Sequence, residues 1–238
     1  MILYYVRHGD PIYNPDSLTE LGHKQADALS KRMSLYGLDE IYASSSMRAQ
    51  MTAEPTAKAL GKEVKLLDWM REDYAMRDLG VYREDGVYTW CFFLPKFKEL
   101  FNSPKVRALG SKWYEDPSFP EKFGEGVKRV DEEVDKLLLS LGYRHERENG
   151  RYKAIEPNDK RVAIFAHQGF GMLFLSSLLD IQYGQFVTHF ELSHTSVTVI
   201  HFKTEEDGFV YPQTLQLSND SHLYKEDLLT GYNNQIDI

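Results

Sequence analysis

Two short apolar runs, far apart in the chain, each end in a histidine: residues 2–6 lead into Arg7-His8-Gly9, and residues 161–165 lead into Ala166-His167-Gln168-Gly169. Runs of this length, rich in β-branched and aromatic residues and bounded by charge, predict strands buried on both faces, as in a parallel sheet covered by helices. In open α/β sheets ligands collect beyond the carboxyl ends of the strands. The pattern therefore predicts that His8 and His167 share one pocket.

Strand and helix signals alternate around both runs. Asp16-Ser17-Leu18-Thr19 opens a helix with Ser17 or Thr19 as its cap, apolar residues at three- and four-residue steps and Gly37 as its stop. Residues 40–44 read as a strand. Residues 47–60 read as a helix stopped by Gly61 and kinked at Pro55, whose ring removes a backbone donor. A strand follows at 62–67. The rhythm resumes with a strand at 161–166, a helix at 169–179 and two last strands at 196–202 and 209–217. Between them it fails: residues 81–123 are rich in Trp, Phe and Tyr, 127–141 reads as an amphipathic helix, and Asn149-Gly150 marks a hairpin turn. The expected architecture is a three-layer α/β/α fold with a mostly parallel central sheet, one domain over 1–238. A helical, aromatic insertion at about 81–159 forms a lid or cap. Its aromatic residues predict a small core, with Tyr82, Trp90 and Phe93 as rim contacts, and Lys96, Lys98, Lys105 and Arg107 a solvated face.

The net charge of -8 argues against nonspecific binding to nucleic acid or to an anionic membrane, which needs a concentrated positive field. An anionic substrate is opposed at long range by that charge, so its attraction must come from a few arginines inside a cleft. The single cysteine, Cys91, excludes an intrachain disulfide and a thiolate metal cluster. The first apolar run is too short for a signal peptide or a membrane helix, and a cytoplasmic location is expected.

Arg7 beside His8 suits phosphoryl chemistry: guanidinium offers a fork of donors to phosphate oxygens, and a neutral imidazole nitrogen is a competent nucleophile. Ser44-Ser45-Ser46-Met47-Arg48 places a second arginine in the first turn of a helix, where free amides attract anions. Taken singly, each has a bland reading as a chance tripeptide or a capped turn with a solvated arginine, and a lone Glu72 reads as surface. Taken in order, they resemble the histidine phosphatase superfamily, phosphoglycerate mutase-like branch, over about residues 1–80 and 160–223. Arg7-His8-Gly9 with Asn14 is similar to its first motif, Arg48-Ala49 with Thr52-Ala53 to its second arginine motif, and Met70-Arg71-Glu72 to the segment carrying its acid. Ala166-His167-Gln168-Gly169 resembles its second histidine motif, and Ser218-Asn219-Asp220-Ser221-His222-Leu223 its phosphatase tails. The chain departs from the family at Ser45 and Ser46, at Gln168, and after Glu72-Asp73, where either carboxylate is a candidate acid.

The resemblance implies a phosphomonoester hydrolase that uses no metal and no other cofactor, acting on a small phosphorylated metabolite. In that reading His8 attacks phosphorus and Glu72 exchanges protons with the leaving group and water. Arg7, Asn14, Arg48, His167 and Gln168 surround the phosphate. Specificity is expected in about 80–160. His222 either reaches the phosphate pocket or ties down the chain end. His23, His145, His189, His194 and His201 are read as surface or packing residues. Two alternatives stand beside this reading: a phosphoglycerate mutase-type transfer, disfavoured by the short segment between Asn14 and Leu18, and a noncatalytic phospholigand-binding or regulatory module. A dinucleotide-binding fold lacks its glycine fingerprint at Gly169 and Gly171.

Overall fold

The computed structural model describes residues 1–232. The first half of the chain forms β1 (Ile2–Arg7), β2 (Pro11–Tyr13), β3 (Asp16–Leu18), α1 (Glu20–Tyr36), β4 (Glu40–Ser44), α2 (Met47–Leu60), β5 (Val64–Leu67), α3 (Glu72–Leu79), β6 (Gly80–Tyr82), β7 (Tyr88–Trp90), α4 (Pro95–Asn102) and α5 (Pro104–Ala108). The second half forms α6 (Glu121–Ser140), β8 (Tyr143–Glu146), β9 (Arg151–Ala154), β10 (Arg161–Ala166), α7 (Gln168–Leu179), α8 (Tyr183–His189), β11 (Val197–His201), β12 (Phe209–Val210), β13 (Gln213–Asn219) and α9 (Ser221–Tyr224). Two compact units result: Met1–Arg71 with Pro157–Gln168 and Leu192–Ile238, and Glu72–Glu156 with Gly169–Glu191.

The first unit is built on a six-stranded sheet of order β13-β11-β1-β10-β4-β5. β1, β10, β4 and β5 pair in parallel, and only β11 runs against its neighbours. The mostly parallel α/β sheet expected from the two apolar runs is borne out. α1 begins where Thr19 accepts the Gly22 N–H at 3.0 Å, satisfying one of the free amides of the first turn, and stops at Gly37, whose φ of 71° suits a residue without Cβ. α2 runs unbroken through Pro55 to Gly61 in the left-handed conformation. The core joins Val6, Phe165 and Ile41 of the strands to Leu29, Met33 and Ala53 of the helices. Each such large side chain contributes about 1.5–3 kcal/mol by leaving water. The strand expected over 209–217 is two pieces, because Pro212 between β12 and β13 has no N–H for a ladder.

The second unit begins at Glu72 and contains the aromatic segment. Phe101, Trp113, Phe123 and Tyr183 are fully buried, with the Trp113 ring stacked on Tyr183 at 5.5 Å and edge-on to Phe101 at 5.3 Å. The core reading of these residues holds. Of the expected rim residues, Tyr82 and Phe93 are exposed and Trp90 is buried, while Lys105 pairs with Asp116 at 2.7 Å. α6 starts six residues before the apolar periodicity shows, because its first turn is mostly polar. The hairpin β8–β9 closes at Gly150 as its Asn-Gly pair predicts. It is bound to α6 and to the end of α7 by His145, whose ring nitrogens lie 2.9 Å from Asp135 and 2.8 Å from Asp180. Among the described residues no helix is long and apolar enough to cross a membrane.

Candidate functional site

Register in the first unit brings the two histidine motifs together. β1 and β10 are parallel with Arg7 opposite Ala166, so His8 and His167 leave the sheet side by side, their ring centroids 5.2 Å apart. The next parallel strand, β4, sets Ala43 opposite Phe165, so Ser44 reaches the same end and its hydroxyl lies 2.9 Å from His167 Nε2. The Tyr5 hydroxyl holds the His167 backbone from below, donating to its carbonyl at 2.7 Å and accepting its N–H at 3.2 Å. Gly9 donates its N–H to Thr52 Oγ1 at 3.0 Å, and a Cβ there would stand 2.7 Å from the Gly22 carbonyl oxygen, so the motif's glycine is required sterically.

His8 is buried, and its Nδ1 lies 2.7 Å from the Gly9 carbonyl. A carbonyl only accepts, so Nδ1 carries the proton and Nε2 keeps its lone pair. Burial, then the positive fields of His167, Arg7 and Arg48, hold the His8 imidazole well below its ordinary 6.5. His167 is lowered in the same way, by burial and then by Arg48, Arg7 and Arg71. The arrangement is a neutral basic nitrogen beside two guanidiniums, suited to hold an anion and attack it. Among the described residues Arg48 Nε is buried without a hydrogen-bond partner, donor capacity that a bound oxyanion can take up.

These shifts carry a stability consequence. His8, His167 and His222 all lie below 6.5, His222 at about 4. Below 6.5 the unfolded chain therefore binds protons that the folded chain refuses. Stability should fall on acidification by up to about 1.4 kcal/mol per pH unit for each group. His145 has the opposite sign: burial lowers it but Asp135 and Asp180 raise it further, so its contribution is complete below 6.5 and is lost as pH rises through its native value. The urea midpoint is expected to drop between about pH 6.5 and 5.5, since the three lowered histidines lose stability there and the His145 contribution is already complete; a steady or rising midpoint contradicts this assignment.

Other expected site residues are placed differently. Arg48 is buried, but its Nη1 pairs with Asp16 at 2.7 Å, and the other Asp16 oxygen accepts the Met47 N–H at 2.7 Å. The N-terminus of α2, expected to be open to an anion, is thus capped by a carboxylate from β3, a residue read from sequence only as part of the lead into α1. Asn14 is exposed at the tip of the β2–β3 hairpin, and its side chain makes no hydrogen bond among the described residues. Gln168 is buried as the first residue of α7. Glu72 belongs to the second unit, where it accepts the N–H groups of Gly169 at 2.9 Å and Phe170 at 2.7 Å. It caps the first turn of α7, two and three residues along the chain from His167, whereas the adjacent Asp73 is exposed.

His194, read from sequence as a surface or packing residue, is buried and packs beside His8. β11 is antiparallel to β1 with Val197 opposite Val6, which delivers the residues just before β11 to the end of β1. The His194 ring stacks 6.2 Å from His8 and its Nδ1 lies 3.6 Å from Asp10. The next residue, Thr195, is β-branched yet has a φ of 55° and is fully buried. Such a conformation costs about 1–3 kcal/mol and persists where surrounding contacts impose it. Neither residue has a periodic or motif signal in the sequence.

Residues 3–84 match the model of the histidine phosphatase superfamily (branch 1). The resemblance read from the motifs is borne out over this segment, and the mixed α/β fold is similar to that of solved phosphatase structures. Among solved structures, a phosphoserine phosphatase of Entamoeba histolytica in complex with phosphoserine is 19% identical over 93% of this chain and 98% of its own, with a TM-score of 0.59. A mycobacterial glucosyl-3-phosphoglycerate phosphatase is 20% identical over 90% and 97%, at 0.57. The alpha-ribazole phosphatase of Shigella flexneri is 16% identical over 92% and 97%, at 0.58. No curated protein matches the chain by sequence.

Proposed function

We propose that the protein is a metal-independent phosphomonoesterase that acts on a small phosphorylated metabolite through a phosphohistidine on His8. The observation that carries this reading is the state of His8: neutral, with Nδ1–H committed to the Gly9 carbonyl and Nε2 left basic among Arg7, Arg48 and His167. In the first step the Nε2 lone pair forms a bond to phosphorus, the ester P–O bond breaks, and the leaving oxygen takes a proton from Glu72 in its acid form. Water then attacks phosphorus, giving its proton to Glu72; the P–N bond breaks, and inorganic phosphate departs. Arg7, Arg48, His167, Gln168 and Asn14 serve the nonbridging oxygens; Arg7 and Arg48 have the support of charge and burial, and the neutral His167 that of burial beside His8.

Glu72 is favoured over Asp73 as the proton carrier because it is half-buried and positioned by two backbone amides. The activities named for the three structural relatives all concern small phosphomonoesters or are phosphatases of small molecules, which agrees with this substrate class.

The test is phosphate release from a panel of sugar phosphates, phosphoserine, phosphoglycerates and nucleotides, with and without chelator. Release of inorganic phosphate from at least one small monoester, undiminished by chelator, is expected. Isomerisation of 3-phosphoglycerate without phosphate release would make the protein a mutase, and binding without turnover of any ester would make it a phospholigand module.

A further inference from the structure

The first unit holds a second buried histidine system that the proposed chemistry does not use. His222 in α9 is buried, with Nε2 3.1 Å from Thr195 Oγ1 and Nδ1 3.4 Å from Arg32 Nη1. Arg32 is itself anchored on β13, donating to the Asn219 carbonyl at 2.9 Å, the Asn219 side chain at 2.7 Å and Gln216 at 2.9 Å. A guanidinium is only a donor, so His222 Nδ1 accepts and Nε2 carries the hydrogen. Burial first, then the Arg32 charge, with Asp220 opposing, keep this ring neutral near neutral pH, in agreement with that tautomer.

The hydrogen bonds then run in one direction. Arg32 donates to His222, His222 to Thr195 Oγ1, and Thr195 Oγ1 to the His194 carbonyl at 2.7 Å. The Thr195 N–H meanwhile donates to the His8 carbonyl at 3.2 Å. Thr195 is the left-handed, β-branched residue described above, and a neutral donor on its hydroxyl is one contact that selects this conformation. The same tail holds the residue before His194: Ser218 Oγ accepts the Ser193 N–H at 2.9 Å, and Asp220 accepts the Ser193 hydroxyl at 2.8 Å.

We infer that His222, acting through Thr195 and oriented by Arg32, is a positioning residue that fixes the backbone of His8 and the ring of His194 beside it. This rests on the reading of His8 as nucleophile. Loss of the donor frees Thr195 from its strained turn, so the His8 carbonyl loses its partner and the imidazole loses its aim. Misplacement of an attacking group slows the chemical step more than it weakens substrate binding.

Four proteins decide it: the wild type, His222→Ala, His222→Gln, in which the amide nitrogen replaces the Nε2 donor, and Arg32→Met, which keeps His222 but removes the donor to its Nδ1 together with the bonds to Asn219 and Gln216. Each is assayed with para-nitrophenyl phosphate for kcat and KM separately, and each is labelled with 15N-histidine so that the His8 imidazole is followed by NMR without reference to turnover. For His222→Ala the expected kcat is about tenfold lower with KM within about twofold, and the His8 resonances move. His222→Gln should recover kcat to within about threefold and restore the resonances, and Arg32→Met should show a partial loss of about threefold. If His222→Ala does not fold, the Gln and Met variants carry the comparison: resonances that stay in place in Arg32→Met, with unchanged kcat, overturn the relay. Wild-type kcat in His222→Ala overturns it, as does a Gln variant as slow as the Ala variant. A wild type inactive on every ester, in which the His8 resonances still move in the Ala variant and return in the Gln variant, sinks the phosphatase reading and leaves the relay standing.

Discussion

His8→Ala is expected to reduce phosphomonoester hydrolysis by on the order of 10³-fold or more while the protein remains folded. The backbone bonds that position this residue, N–H to the Ala166 carbonyl at 2.9 Å and C=O from the Thr195 N–H at 3.2 Å, do not involve its side chain. What the substitution removes is the Nδ1–H donor to Gly9, at a cost of about 1–3 kcal/mol for the acceptor left unsatisfied. Circular dichroism and a modestly lowered urea midpoint would establish the fold, and steady-state kinetics the loss. A variant that turns over at the wild-type rate removes His8 from the reaction.

Arg48→Ala carries the second large effect. Loss of one preorganised donor to a phosphoryl oxygen is expected to cost about 10²- to 10³-fold in kcat/KM. The variant also removes a charge that keeps His8 and His167 neutral. Both imidazoles should therefore become more basic, and the acid limb of kcat/KM against pH should move to higher pH. Arg48→Lys keeps the charge but not the fork and should recover the pH profile better than the rate. A substitution that only loosened the Asp16 and Met47 cap of α2 would lower stability and leave the acid limb where it was.

The sheet was legible because it depends on local signals. The two apolar runs, Thr19 before α1, and the glycines at 37 and 61 each announce an element or its end, and parallel pairing of β1 with β10 follows from βαβ order. Arg7, His8 and His167 announce themselves at strand ends, and Arg48 in the first turn of the helix that follows β4. What escaped depends on long-range register: His194 and Thr195 arrive beside His8 only because β11 inserts antiparallel to β1, and no spacing along the chain signals that. Asp16 escaped because a carboxylate just before a helix reads as part of its own cap, whereas the β2–β3 hairpin turns it toward α2. Asn14, assigned by motif spacing, lies at the exposed tip of that hairpin. Glu72 and Asp73 are indistinguishable in sequence, and the amides of Gly169 and Phe170 separate them.

The His222 relay has the same character. Its tail resembles a family motif, but its physical content is a hydrogen-bond direction, set by which atoms can only donate. That direction runs from Arg32 inward to Thr195 and the His194 carbonyl, and the Thr195 N–H holds the His8 carbonyl.

The covalent intermediate tests the account most directly. The protein is mixed with a turned-over phosphomonoester, quenched in base where phosphohistidine survives, digested and sequenced by mass spectrometry. The account predicts one phosphoryl group on the peptide that contains His8, localised to His8, and none in His8→Ala. Turnover with no phosphoryl group on any histidine, or with the group on His167 or His194 instead, would contradict it.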